Sequence, residues 1–370
     1  MKIKINDSFK DDIFNFLMSL KKNKDFEFYP ALDGLTYAGK NINLGFSCFA
    51  LKCFFILDKW EYQENNEKDR WAEYLNSYQT NNDFKFPHGS FIDINYLKLI
   101  EKTDIQKESK RVVKKLIQQN YKTKKQEVDE FIRAESKQAI SSLYQVGYKN
   151  KISYKNKLVA PSIISEYLNG LNWSKPWSSG AQFSGLCVFL ETQYKNSDKY
   201  ELVKNELIRF SDSLLDNETG CYFRGQKVSD TELINGAMKI LTGLDWLDAE
   251  IHKPEAIIDT CLRIKPLGLG CDIVDIVYIL YMCTKATDYR KKEIISYIDD
   301  IEIMISQHYF SKIGGFSYYP ENSQKYYYGL SITKSFKTPD IHGTTLLLWA
   351  FSMINFIKDT EETKLNLIKP

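Results

Sequence analysis

The sequence predicts an all-α protein, an (α/α)6 toroid in which six helical hairpins close into a ring. Three observations predict it. Apolar residues recur at spacings of three and four through twelve segments, and the spacers between them are rich in Gly, Pro, Asn and Asp. Two links between paired helices carry a similar turn, at 214–223 and 307–316, where a polar stretch leads to Gly and then to an aromatic. That pattern suits an array in which each outer helix hands the chain to an inner one. The second helix of each pair is also the more apolar, as expected of an inner ring.

In chain order the outer helices are expected at 8–22, 69–79, 161–171, 199–215, 254–264 and 291–308. The inner helices are expected at 44–59, 127–147, 179–195, 230–248, 272–285 and 341–358. Two inner helices open with small residues, from Gly45 and from Gly343, which lets neighbouring backbones approach closely. Segment 101–126 is rich in Lys and Gln and poor in aromatics. It reads as an inserted charged helix, serving as a solvated face, a lid or a basic contact surface. Residues 359–370 are polar and expected to fray. All 370 residues are assigned to one domain.

A chain with 43% hydrophobic and 14% aromatic residues can bury a large core. Fifty Lys and Arg against 48 Asp and Glu leave a net charge of +2, too small for a global field that would hold nucleic acid or an anionic membrane. The first residues lack the apolar core of a signal peptide, and no later run is long and apolar enough to span a bilayer, which points to the cytoplasm. The seven cysteines include no Cys-x-x-Cys pair and read as buried free thiols, so neither a metal nor a cofactor is expected. Motifs for Walker-type nucleotide binding, dinucleotide binding, His-Glu-x-x-His zinc proteases and Gly-x-Ser-x-Gly hydrolases are absent from the sequence.

In such a ring the links entering the inner helices share one rim, which gathers scattered polar residues into one candidate site. The link at 309–340 is far longer than the usual connection of about 4–6 residues and is expected at the mouth. It carries Tyr318, Tyr326, Tyr327 and Tyr328 and ends at Asp340-Ile341-His342. Asp340 reads as a helix cap or a catalytic acid. His342, in the first helical turn, reads as a neutral proton acceptor or a structural histidine. A second cluster holds Asp230, Glu232 and Asn235, the last two on one helix face. In a third, Asp272, Asp275 and Tyr278 form a stripe every three positions in an apolar helix, costly unless it faces water, a cation or a ligand. Trp173 and Trp177, beside Pro176, read as rim residues that stack on sugar rings or as core plugs. His308 ends the last outer helix and is expected to face the opening, while Arg133 reads as a clamp for a carboxylate or phosphate, or as a surface ion pair.

The Gly314-Gly315-Phe316 turn and the run Asp340-Ile-His-Gly-Thr-Thr-Leu-Leu-Leu-Trp-Ala resemble the α/α-toroid superfamily of terpenoid cyclases and protein prenyltransferases. The same ring occurs in six-hairpin glycosidases and toroid polysaccharide lyases. Asn235-Gly-Ala-Met-Lys-Ile-Leu-Thr-Gly and Pro176-Trp-Ser-Ser-Gly-Ala-Gln are similar to segments of bacterial proteins from surface-polysaccharide gene clusters. The Asp-x-Asp-Asp motif of squalene-type cyclases is missing, and Asp299-Asp300-Ile-Glu302, similar to a class I terpene synthase metal motif, falls on an outer helix. The resemblance implies an enzyme acting on a sugar or oligosaccharide precursor of a bacterial surface glycan. Its chemistry would be hydrolysis by a carboxylate pair, or β-elimination or epimerisation by His and Tyr. Two other readings stay open: a cyclase whose aromatics stabilise a carbocation, and a non-catalytic glycan-binding scaffold. The oligomeric state is not set by these features.

Overall fold

A computed structural model describes residues 3–81, 85–101, 123–225, 228–360 and 365–370. Among these residues the first helices are α1 (Asp7–Ser19), α2 (Tyr37–Asn41), α3 (Leu44–Ile56), α4 (Asn65–Asn76) and α5 (Ile94–Glu101). There follow α6 (Lys124–Gln145), α7 (Pro161–Asn169), α8 (Pro176–Tyr194), α9 (Tyr200–Asp212) and α10 (Asp230–Trp246). The last are α11 (Pro254–Arg263), α12 (Gly270–Ala286), α13 (Lys291–Ser306) and α14 (Ile341–Lys358). The only strands among the described residues are two short hairpins, β1 (Tyr309–Phe310) with β2 (Gly315–Phe316), and β3 (Tyr326–Tyr327) with β4 (Leu330–Ser331). The chain is all-α, as its apolar periodicity predicts.

Six helices touch in sequence, α3 to α6, α8, α10, α12 and α14, and α14 returns to α3. They form a closed inner ring. Around it α4 packs on α3, α9 on α8 and α7, α11 on α12, and α13 on α12 and α14. Inner helices α3, α8, α12 and α14 have protein on most sides and are apolar around most of their circumference, whereas α6 is amphipathic, with its apolar residues on one face. α8 and α10 approach most closely because glycines line their contact: a Cβ at Gly243 would lie 2.5 Å from the Phe183 ring, and one at Gly236 2.5 Å from Pro176.

The two similar turns have one physical basis. The bridge Leu215↔Tyr222 and the β1–β2 hairpin each close a short loop. Each loop passes through a glycine at positive φ, Gly220 at 68° and Gly314 at 90°, a region that side chains disfavour.

The inner helices point the same way. Tyr318 and Asp340 of the 309–340 link contact the starts of α12 and α14, and Tyr327 of the same link packs on Gly45 at the start of α3. The far ends of α3, α6 and α10 meet residues 365–370. Asn366 donates its backbone N–H to Ile56 O at 2.8 Å, Gln145 Oε1 accepts the Lys369 N–H at 2.8 Å, and Trp246 Nε1 donates to Pro370 O at 2.5 Å. Leu365 and Ile368 are buried and Leu367 packs on the core. The expected fraying of 359–370 therefore does not hold for 365–370. The charged helix expected at 101–126 falls mostly on 102–122, outside the described residues. No helix among the described residues is long and apolar enough to cross a membrane, and the seven cysteines are free.

Candidate functional site

The ring encloses a cavity of about 420 Å³, within the range of roughly 300–1,000 Å³ usual for ligand pockets. Of the residues singled out from sequence, His342, Asp275, Tyr318, Tyr328, Trp177 and Arg133 line it. The sequence reading missed its strongest feature: Lys52, Lys137 and Lys239 project into the same space from α3, α6 and α10. Three lysines and Arg133 thus share the lining with one carboxylate, Asp275.

Tyr318 is placed by two helix starts. Its carbonyl accepts the Gly270 N–H at 2.9 Å, and its own N–H donates to Asp340 Oδ2 at 2.7 Å. A side chain on Gly343 would collide with this strand, since its Cβ would sit 2.3 Å from Tyr318 N. The phenol ring stacks on His342, and its oxygen lies 2.7 Å from Cys271 Sγ. Burial raises the phenol above its ordinary range, keeping it protonated.

His342 is sandwiched between Tyr318 and Phe49, whose ring centre lies 4.4 Å away. Its Nδ1 is buried with no hydrogen-bond partner. Burial, reinforced by Lys52 and Lys239, lowers the imidazole to about 3, so it is neutral near pH 7.

The lysines are as unusual. Lys137 contacts only Ser184 Oγ, at 3.4 Å, and burial with Lys239 and Lys52 nearby lowers it to about 7. Burial likewise lowers Lys52. Lys239 Nζ lies 4.0 Å from Asp275 Oδ1, while Asp275 Oδ2 has no partner, and burial raises that carboxyl to about 6. Arg133 donates to Gln182 Oε1 at 3.0 Å and Tyr167 Oη at 3.2 Å, which holds its guanidinium at the rim without a carboxylate. Like charges gathered in a confined space of lowered dielectric are costly, and an anion bound among them removes that cost.

The other sequence-predicted residues lie outside the cavity, each for a definable reason. Asp340 is the cap of α14: buried, it accepts the N–H groups of Gly343, Tyr318 and Gln324 at 2.8, 2.7 and 3.0 Å. Asp272 sits one helical step from Asp275 and turns toward α10, where Asn235 Nδ2 donates to its Oδ1 at 3.2 Å. Tyr278 donates to Asp245 Oδ2 toward the far end of the ring. Asp230 is exposed, and Ser229, not Asp230, caps α10. Glu232 accepts the Trp177 N–H at 3.1 Å, serving the start of α8. Trp173 is a core plug, packed on Phe210 with its indole N–H donating to Leu168 O at 2.8 Å. His308 is buried against Ser317 O, its ring nitrogen 2.8 Å from that carbonyl. Tyr327 is buried with its hydroxyl donating to Glu135, and Tyr326 sits exposed at the open end of the hairpin, paired with Ser331.

A signal for the lysines existed. Lys52 follows Gly45-Phe-Ser-Cys-Phe-Ala-Leu51, and Lys239 interrupts Ala237-Met238 and Ile240-Leu241. A charge inside an apolar inner helix has the same meaning as the Asp stripe in α12.

No family model matches the chain, and no curated protein matches it. A solved structure of a polysaccharide lyase is similar over 97% of this chain and 99% of its own, with a TM-score of 0.45 and 12% sequence identity.

Proposed function

We propose that the protein is a glycan-active enzyme that takes an acidic sugar into the ring and removes the proton on the carbon beside its carboxylate. The observation that carries this reading is the neutral His342 on the wall of a cavity lined also by three lysines and Arg133. Loss of the α-proton pushes electrons onto the carboxylate, and ammonium and guanidinium groups fixed in a confined site of lowered dielectric stabilise that charge. His342 takes the proton. For β-elimination the bond from the neighbouring carbon to the glycosidic oxygen breaks, a carbon–carbon double bond forms, and Tyr318 gives its proton to the departing oxygen. For epimerisation the proton must return from the opposite face, and because Tyr318 stacks on His342 on one side of the cavity, that donor would be a group across it.

Binding and catalysis are linked in this scheme. The substrate anion offsets Lys52 and Lys239, two of the influences that depress the imidazole, so its arrival raises the basicity of His342. Hydrolysis by a carboxylate pair has less support, because Asp275 is the one predicted carboxylate on the lining. A carbocation would be destabilised by the same lysines, which disfavours a cyclase. The likeness of 176–182 and 235–243 to surface-polysaccharide proteins favours an acidic unit of a bacterial surface glycan.

The test is incubation with uronate-containing oligosaccharides in heavy water. Elimination produces an ultraviolet-absorbing unsaturated end, and epimerisation produces deuterium at the α-carbon. Tight binding with neither product would make the ring a glycan-binding protein.

A further inference from the structure

The cavity is closed at one end. Ile368 and Pro370 form part of its lining, and the segment that carries them is tied to α3, α6 and α10 by Asn366, Lys369 and Pro370. Asn366 also donates its side-chain amide to Phe55 O at 2.9 Å and Asp58 Oδ1 at 3.1 Å, and Lys369 stands over the Trp246 ring. A chain entering from the 309–340 side therefore meets a floor and does not pass through.

A second depression lies beside the cavity. A groove on the outside of α6 and α7 shares Arg133 and Tyr167 with it. Basic residues outnumber acidic ones in the groove: Lys85, Lys125, Arg133, Lys155, Lys157 and Lys199 line it with Asp129, Glu130 and Glu166, and the buried Asn156 leaves its Nδ2 unpartnered there. The size of the groove, about 1370 Å³, exceeds that of the cavity, so it suits several linked units where the cavity suits few.

We infer that the ring recognises the end of a polyanionic glycan, the terminal unit entering the blind cavity while the following units lie along the lysine-lined groove past Arg133 and Tyr167. This rests on the acidic-sugar reading above and adds which part of the chain is bound and where the remainder goes. Cations spaced along a groove track an anionic chain by Coulomb attraction, whereas the floor sets how far the end can advance.

Oligouronates of two to eight units, with galacturonate, mannuronate or glucuronate as the acid, test it on the intact protein by calorimetry and by the length of early products. The expected result is affinity that rises with length, and early products of one short size while the remaining chains shorten stepwise. Charge reversal in the groove by Lys155→Glu with Lys157→Glu should raise the KM of an octamer about tenfold more than that of a dimer. Early products of every length, or equal effects on dimer and octamer, would overturn end recognition and leave the acidic-sugar reading standing. Absence of binding to every oligouronate would overturn both.

Discussion

The imidazole of His342 and the phenol of Tyr318 lie nearly parallel, 5.4 Å between ring centres and 19° between planes. One ring comes from the first turn of α14 and the other from the loop that precedes it, and the cap residue Asp340 binds both segments. The two proposed proton carriers are thus positioned by a single buried carboxylate.

His342→Gln and Tyr318→Phe should each lower turnover by about 10²–10⁴-fold, the usual range for a positioned acid or base. Ligand affinity should change little. The pH profile gives an independent check. The free imidazole is held near 3, so the acid limb of kcat/KM lies well below the ordinary histidine value of 6.5. The acid limb of kcat should lie higher, because bound anion offsets the lysines. An acid limb of kcat/KM at 6.5 would remove His342 as the base.

Lys137→Met should stabilise the protein and weaken anion binding together. The folded protein holds this amine near 7 against an ordinary 10.5, so between those values the unfolded chain binds more protons and stability rises with pH. The gain in melting temperature is therefore largest at pH 7 and shrinks toward pH 10.5. Sulfate should raise the melting temperature of the native protein more than that of the variant.

Glu135 carries the opposite sign. Burial raises it from 4.5 to about 8, with one oxygen unpartnered and the other accepting from Tyr327. The folded state holds the extra proton between those values, so its stability falls as pH rises through them. Glu135→Gln lacks this loss, and its melting temperature should overtake that of the native protein by roughly a few degrees between pH 5 and 8. A constant difference across that range would mean that Glu135 is ionised throughout.

The two tryptophans beside Pro176 should separate cleanly. Trp173→Ala removes a buried plug and should cost about 3–5 kcal/mol in urea unfolding. Trp177, 38% exposed at the mouth, should cost within about 1 kcal/mol and weaken sugar binding up to about tenfold.

Much of the ring was legible because helix period and apolar content report burial directly. The turn glycines at 220 and 314 were legible for the same local reason. Within the site, a sequence position locates a helix face but not which neighbour that face meets. Asp272 and Asp275 share a stripe, yet three residues at 100° each leave them about 60° apart, enough to send one to Asn235 and the other to the cavity. Trp173 and Trp177 flank a helix start, and the chain reverses between them. The lysines were hidden by expectation, since Lys is nearly always exposed and these three sit among 50 basic residues. Residues 365–370 were hidden by distance: their partners, Ile56, Gln145 and Trp246, lie hundreds of positions away in sequence.

The contact of α14 with α3 has a consequence for how the chain is made. The hydroxyl of Thr345 approaches Cys53 Sγ at 3.2 Å, and Ala31 pairs with Asp340, joining segments about 300 residues apart. During synthesis α3, apolar around most of its surface, leaves the ribosome long before the helix that covers it. Local hairpins can form early, but the ring cannot shut until residues near 350 have emerged. Closure thus depends on contacts of long sequence separation, which form slowly, and until they form the apolar flank of α3 stays uncovered.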